Sequence, residues 1–184
     1  MNGDQAVSPG NAILMTGFAG EAGTEIIFEQ KREELLGRFT PGFLAFERSG
    51  SRDSFGESIR ILENCPGVSG ITKLGEGGFY QGLWDFMREN GCGVFADLQK
   101  VPIRQETVEA AEFFGGNPYR LFSEGCVIAA AENPEEALNC LAEAGIPAAV
   151  IGEVRKAPEK TVLRDGESFY LERVKRDFLR ELGL

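Results

Sequence analysis

The chain has no histidine among its 184 residues. That removes the side chain that most often serves as a general base near neutral pH and as a metal ligand. Any acid–base work falls to Asp, Glu, Lys, Cys or Tyr. Cysteine is sparse and scattered. Cys65, Cys92, Cys126 and Cys140 form no C-x-x-C pair, and without histidine they make a poor zinc set. They read as reduced, mostly buried thiols. Positive charge is also short. The 19 Lys and Arg stand against 29 Asp and Glu, which gives a formal net charge of −10 and a pI near 4.7. Such a field disfavours nucleic acid and anionic membrane surfaces as partners. Long apolar runs are missing. Ala12–Thr16 is too short for a signal core, and nothing approaches the ~18 apolar residues of a membrane span. The expectation is a soluble, cytoplasmic protein that binds neither membrane nor nucleic acid.

What remains is ordinary globular material, 42% hydrophobic and 26% charged. The length suits one domain. Residues 1–11 read as a flexible lead-in, 12–170 as the domain and 171–184 as a terminal amphipathic helix. Strands are predicted at Ala12–Thr16, Val68–Leu74, Gly93–Asp97, Cys126–Ala131 and Ala148–Val154. Arg164-Asp-Gly-Glu joins Thr161–Leu163 to Ser168–Tyr170 as a hairpin. Helices are predicted from about Thr24 to Arg38, from Asp53 (as N-cap) to Asn64, from Phe79 to Asn90, and from Arg104 to the Gly115-Gly116 stop. A further one follows the Asn133-Pro134-Glu135-Glu136 start. Leu171, Val174, Phe178 and Leu182 fall in helical register. Strands alternating with helices, plus a hairpin, indicate an α/β or α+β sandwich, with a mixed sheet and helices mainly on one face.

Two glycine clusters each lead a strand into a helix. In the first, Gly17, Gly20 and Gly23 recur at every third position, with Glu21 and Thr24 among them. Backbone N–H groups at such a start can hold a phosphate, although Glu21 would repel it. In the second, Glu76, Gly77 and Gly78 open the helix, with Lys73 close by as a neutralising cation. Close helix–strand packing is the favoured account of Gly77 and Gly78. Ser123, Glu124 and Gly125 form a turn ahead of a buried strand and are a third candidate. Tyr80 and Trp84 share a helix face, either as core or as a platform for a ligand.

Four stretches carry a resemblance. They are Met15-Thr-Gly-Phe-Ala-Gly-Glu-Ala-Gly-Thr-Glu, Glu76-Gly-Gly-Phe-Tyr-Gln-Gly-Leu-Trp-Asp-Phe, Val101-Pro-Ile-Arg-Gln-Glu-Thr with Phe114-Gly-Gly-Asn-Pro-Tyr-Arg-Leu-Phe-Ser-Glu-Gly, and Ala144-Gly-Ile-Pro-Ala-Ala-Val-Ile-Gly-Glu-Val. In this order, from Ala12 to Val154, they resemble the C-terminal domain of the aminoimidazole ribonucleotide (AIR) synthetase superfamily. The hydrogenase-maturation-like, AIR synthase-related branch is the nearest likeness. The resemblance implies an ATP- and magnesium-handling N-terminal domain in relatives, and a cleft lined by residues like Ser123–Gly125. Relatives carry Asp and Thr ahead of the Gly-Gly pair, where this chain has Lys73 and Gly75. A lysine can neither coordinate magnesium nor act as a carboxylate base.

The expected role is therefore a stand-alone, non-catalytic binding or assembly module. The alternative is the substrate-side half of a split phosphoryl-transfer enzyme, with Glu21, Glu76 and Glu124 as its polar residues. No cofactor is evident, and Mg-ATP enters only if a partner chain supplies the N-terminal domain. A protein partner or a homodimer is expected to cover the sheet, and a phosphorylated small molecule is a possible ligand. Substrates of the superfamily range from a purine precursor to selenide, and no residue here chooses among them.

Overall fold

Val127–Ala131 (β4) is buried at every position, because this apolar run lies inside a sheet, one strand in from its edge, with packed elements on both faces. The computed structural model describes residues 6–49, 54–158, 160–171 and 173–184. The other strands are Ala12–Thr16 (β1), Val68–Lys73 (β2), Gly93–Asp97 (β3), Ala148–Arg155 (β5), Lys160–Arg164 (β6) and Glu167–Tyr170 (β7). They form one seven-stranded sheet in the order β2-β4-β1-β5-β3-β6-β7. All neighbours run antiparallel except β3 and β6, so the sheet is mixed as expected.

The helices are Glu21–Gln30 (α1), Arg32–Leu35 (α2), Ser54–Asn64 (α3), Gly78–Asn90 (α4), Gln105–Phe113 (α5), Pro134–Glu143 (α6) and Phe178–Glu181 (α7). They divide between the two faces of the sheet more evenly than expected. Ile13, Met15, Ile128 and Ala130 meet Phe79, Leu83 and Phe86 of α4. The alternate residues Leu14, Val127 and Ala129 meet Leu62 of α3 and Leu141 of α6. Strands that are apolar on both sides need cover on both. A third cluster lies beyond the sheet, where Ile27 and Phe28 of α1 meet Ala110 and Ala111 of α5, Leu121 and Phe178.

Most predicted elements are present to within a residue or two. The first helix differs. It begins at Glu21, because Gly20 turns into the left-handed region (φ 76), and it kinks at Lys31. Thr24 lies inside the helix, and its hydroxyl donates back to the Gly20 carbonyl at 2.8 Å. The residue expected to cap α3, Asp53, lies outside the described residues. Residues 6–11 are tied to the sheet, with Gly10 N–H donating to Val154 O and Val154 N–H to Asn11 O.

The tail is not the helix expected over Leu171–Leu182. Among its described residues only Phe178–Glu181 is helical. Leu171 is buried with the α4-side core, whereas Phe178 and Leu179 are buried in the third cluster. A single helical stripe cannot reach both places, so residues 173–177 stay irregular.

Candidate functional site

Ser123 is fully buried and joins the two glycine segments. Its hydroxyl accepts the Gly20 N–H at 2.9 Å and donates to the Leu121 carbonyl at 2.8 Å. Its own N–H donates to Gly75 O at 3.1 Å. The fold therefore brings Gly17–Thr24, Gly75–Gly78 and Ser123–Gly125 to one place, although they are far apart in the chain.

At the first cluster the glycine donors are already taken. Gly17 N–H goes to Pro147 O, Gly23 N–H to Phe122 O, and Gly20 N–H to Ser123. A Cβ on Gly23 would stand 2.4 Å from Leu121 Cγ, so this glycine allows close packing. The Thr24 hydroxyl is 2.8 Å from that of Thr107. Glu21 is buried. Its carboxylate accepts from the Ser49 hydroxyl at 2.9 Å and pairs with Arg104 at 3.3 Å. Arg104 lies over the Phe46 ring and also pairs with Glu106. Glu124 contributes its carbonyl to Arg48 at 2.7 Å.

At the second cluster the Gly77 N–H donates to the Asp177 carboxylate at 2.6 Å. The other oxygen of Asp177 accepts Leu179 N–H at 2.8 Å and so caps α7. A carboxylate from the tail thus occupies the place at the start of α4 where an external anion would sit. Burial raises the pKa of Asp177. The N–H groups of Leu179 and Gly77 oppose the rise, and nearby Glu76 adds to it. Arg180 pairs with Glu76 at 3.0 Å and holds the tail down. A phosphate could reach Gly77 only by displacing Asp177.

Lys73 does not join this group. Its ammonium lies 5.6 Å from the centre of the Phe55 ring on α3, whereas its neighbour Thr72 reaches Glu89 of α4. The two side chains leave the strand on opposite faces. Tyr80 and Trp84 are half-buried against the core. Tyr80 stacks on Tyr119, with centroids 5.6 Å apart, and Lys160 lies over Trp84.

Among the described residues the four cysteines are free; Cys65 and Cys126 are buried and Cys140 is exposed. Burial pushes the Cys126 thiol up to about 12, with Glu21 adding to the rise and Arg48 opposing it, so it is no nucleophile. No group of three or more Cys, Asp or Glu is placed to hold a metal among the described residues. Nor do these residues fit a magnesium nucleotide. The seat is closed by Asp177, Glu21 is committed to Arg104, and Lys73 stands where relatives are expected to carry an acid.

The sequence alone did not reveal Asp177, Arg104 or Ser49. Asp177 ahead of Phe-Leu-Arg-Glu is a helix-cap signal, but nothing local ties it to Gly77, 100 residues away. No described helix is long and apolar enough to cross a membrane.

The family model for the AIR synthase related protein, C-terminal domain, matches residues 8–165. The carbamoyl dehydratase HypE of Azotobacter vinelandii is 32% identical over 158 residues, covering 84% of this chain and 44% of the relative. Among solved structures, E. coli HypE, a hydrogenase maturation protein, matches with a TM-score of 0.75 at 22% identity, covering 94% of this chain and 52% of that one. A HypE–HypF complex matches with a TM-score of 0.72 at 24% identity, covering 92% and 55%. These two likenesses speak for the fold alone. The chain spans less than half the length of the curated relative.

Proposed function

The chain belongs to the AIR synthase related family, matching its C-terminal domain, and from that premise we propose that this domain serves in binding and assembly and is not a catalyst in its own right. One observation carries the proposal: Gly77 and Gly20 give their N–H groups to Asp177 and Ser123 of the same chain. A site that turns over a phosphoryl group needs such donors free for charge that develops in the transition state. Here the protein's own oxygens hold them. Lys73 on the far side of the sheet supports the same reading.

A partner protein suits the sheet. On the face that carries α3 and α6, no described helix packs over β3, β6 and β7. Phe95 and Leu163 are only half-buried there, and Tyr170 is 79% exposed. The HypE–HypF complex is a relative assembled with another protein, and we take protein association as the role of this surface by analogy. Mg-ATP enters this account only where an ATP-binding domain completes the site.

A second reading has one observation in its favour. Three separate segments converge at Ser123, and the Glu76 side chain beside them is 68% exposed. That arrangement would suit the substrate side of a phosphoryl-transfer enzyme completed by an ATP-binding domain. The two readings separate in one assay, ATP hydrolysis with magnesium by the purified chain mixed with a separately supplied ATP-binding N-terminal domain of a family member, read against that domain alone. We expect no turnover above that of the domain alone. Saturable hydrolysis that falls in Glu76→Ala and Glu124→Ala would overturn the binding role and leave the second reading standing.

A further inference from the structure

A cavity of about 440 Å³ opens between the first turn of α4, the β6–β7 hairpin, Leu171 and residues 173–175. No residue of the three glycine segments lines it, although its Val174 adjoins Gly77, and of its lining the proposed role uses only Tyr170. Its volume falls within the range that holds small organic ligands. One wall is aromatic. Tyr80 is fixed there by its stack on Tyr119 (5.6 Å, 16°), and Phe169 is 42% exposed.

The charge of the cavity is opposite to that of the chain. Arg120, Arg164, Arg173 and Lys175 line it, and no carboxylate is among the described residues that line it. The protein carries a net charge of −10, so four of its 19 cations in one cavity is a marked concentration. Two of the four have partners close by. Arg120 donates to Glu181 at 2.6 Å, and Arg164 lies 4.0 Å from Asp165 and over the Phe169 ring. Arg173 and Lys175 have no ion-pair partner among the described residues. Like charges that face a shared space repel one another unless an anion enters it. Burial raises the Tyr80 pKa, while the Asn117 side chain and Arg164 pull it down. Tyr80 therefore stays a neutral phenol within the field of Arg164.

We propose that this cavity binds a small organic anion with an aromatic ring, the ring lying along Tyr80 and Phe169 and its phosphate or carboxylate held by Arg164, Arg173 and Lys175. Aromatic walls favour a planar ring, and guanidinium groups favour an oxyanion that accepts two hydrogen bonds. Arg120 also donates to the Arg176 carbonyl, next to Asp177. A ligand here would therefore steady the segment that closes Gly77.

The test is calorimetric titration of the full chain with 1-naphthyl phosphate, set beside 1-naphthol and inorganic phosphate. Saturable binding is expected, at least about tenfold tighter than either component alone, and weakened about tenfold or more in Arg164→Glu and in Arg173→Glu. Both arginines are on the surface, and unchanged thermal midpoints would show that the variants fold. Amide NMR shifts should gather at Tyr80, Phe169, Leu171 and 173–175. The proposal is overturned by no saturable heat at millimolar ligand, by equal binding of inorganic phosphate, or by shifts that gather at Gly17–Thr24. It is equally overturned if both charge reversals leave the affinity unchanged. Binding of an acidic peptide with none of the ring phosphate would identify the cavity as a protein contact instead. ATP hydrolysis reports on the role proposed above and leaves this result independent of it.

Discussion

A Cβ on Gly78 would stand 2.5 Å from the Leu121 carbonyl oxygen and 2.8 Å from that of Tyr119. The residue also has φ 63, where side chains are disfavoured. Backbone cannot move aside as a flexible side chain can. Gly78→Ala should therefore cost about 3–5 kcal/mol, which lowers the thermal midpoint by roughly 10 °C. Gly75 has open space and an ordinary φ, so Gly75→Ala should change stability by less than about 1 kcal/mol. Thermal unfolding of the two variants checks both, and equal effects would contradict the packing account. The sequence marked both glycines but could not separate them, because the atoms that crowd Gly78 come from residues more than 40 positions away. Glu21 was legible as an acid where an anion would sit. Its commitment to Ser49 and Arg104 was not, since those partners lie 28 and 83 residues off.

The tail and α4 make a second point, at the level of elements. Predictions held where the signal was local: the stop of α4 at Gly91, the Asp165-Gly166 turn of the hairpin, and proline at the start of α6. The tail misled because its apolar residues keep helical spacing while serving two different cores. Its anchor is Asp177, which caps α7 and closes α4 at once. Asp177→Ala should cost about 2–3 kcal/mol, for a lost cap and an unpaired Gly77 N–H. Its pH dependence has a definite sign. Burial raises the Asp177 pKa in the folded protein, so the folded state keeps a proton that the unfolded chain has released. The stability linked to that proton is present below the ordinary aspartate pKa, near 3.9, and is lost as pH rises through the raised folded value. Asp177→Asn cannot titrate, so it should gain stability relative to the parent chain over that rise. Urea unfolding of both at several pH values checks this, and a relative loss with rising pH would contradict it.

For the whole molecule, alternating strands and helices made the α/β class legible, and the mixed sheet follows from the parallel pairing of β6 with β3. The split of helices between the two faces was harder to read. In β4 every position is apolar, and in β1 every position but Thr16, so periodicity could not say which face each helix covers. The site presents the same difficulty on a larger scale. Its candidate residues were named one by one, but their closure by Ser123 and Asp177 is a property of the fold. That closure is the central claim, and amide hydrogen exchange at Gly20 and Gly77, with and without Mg-ATP, tests it most directly. Both amides should be protected in the free protein, and the nucleotide should leave them unchanged. Rapid exchange that becomes protected only when Mg-ATP is added would contradict the account, because the glycine seats would then be open and built for a phosphate.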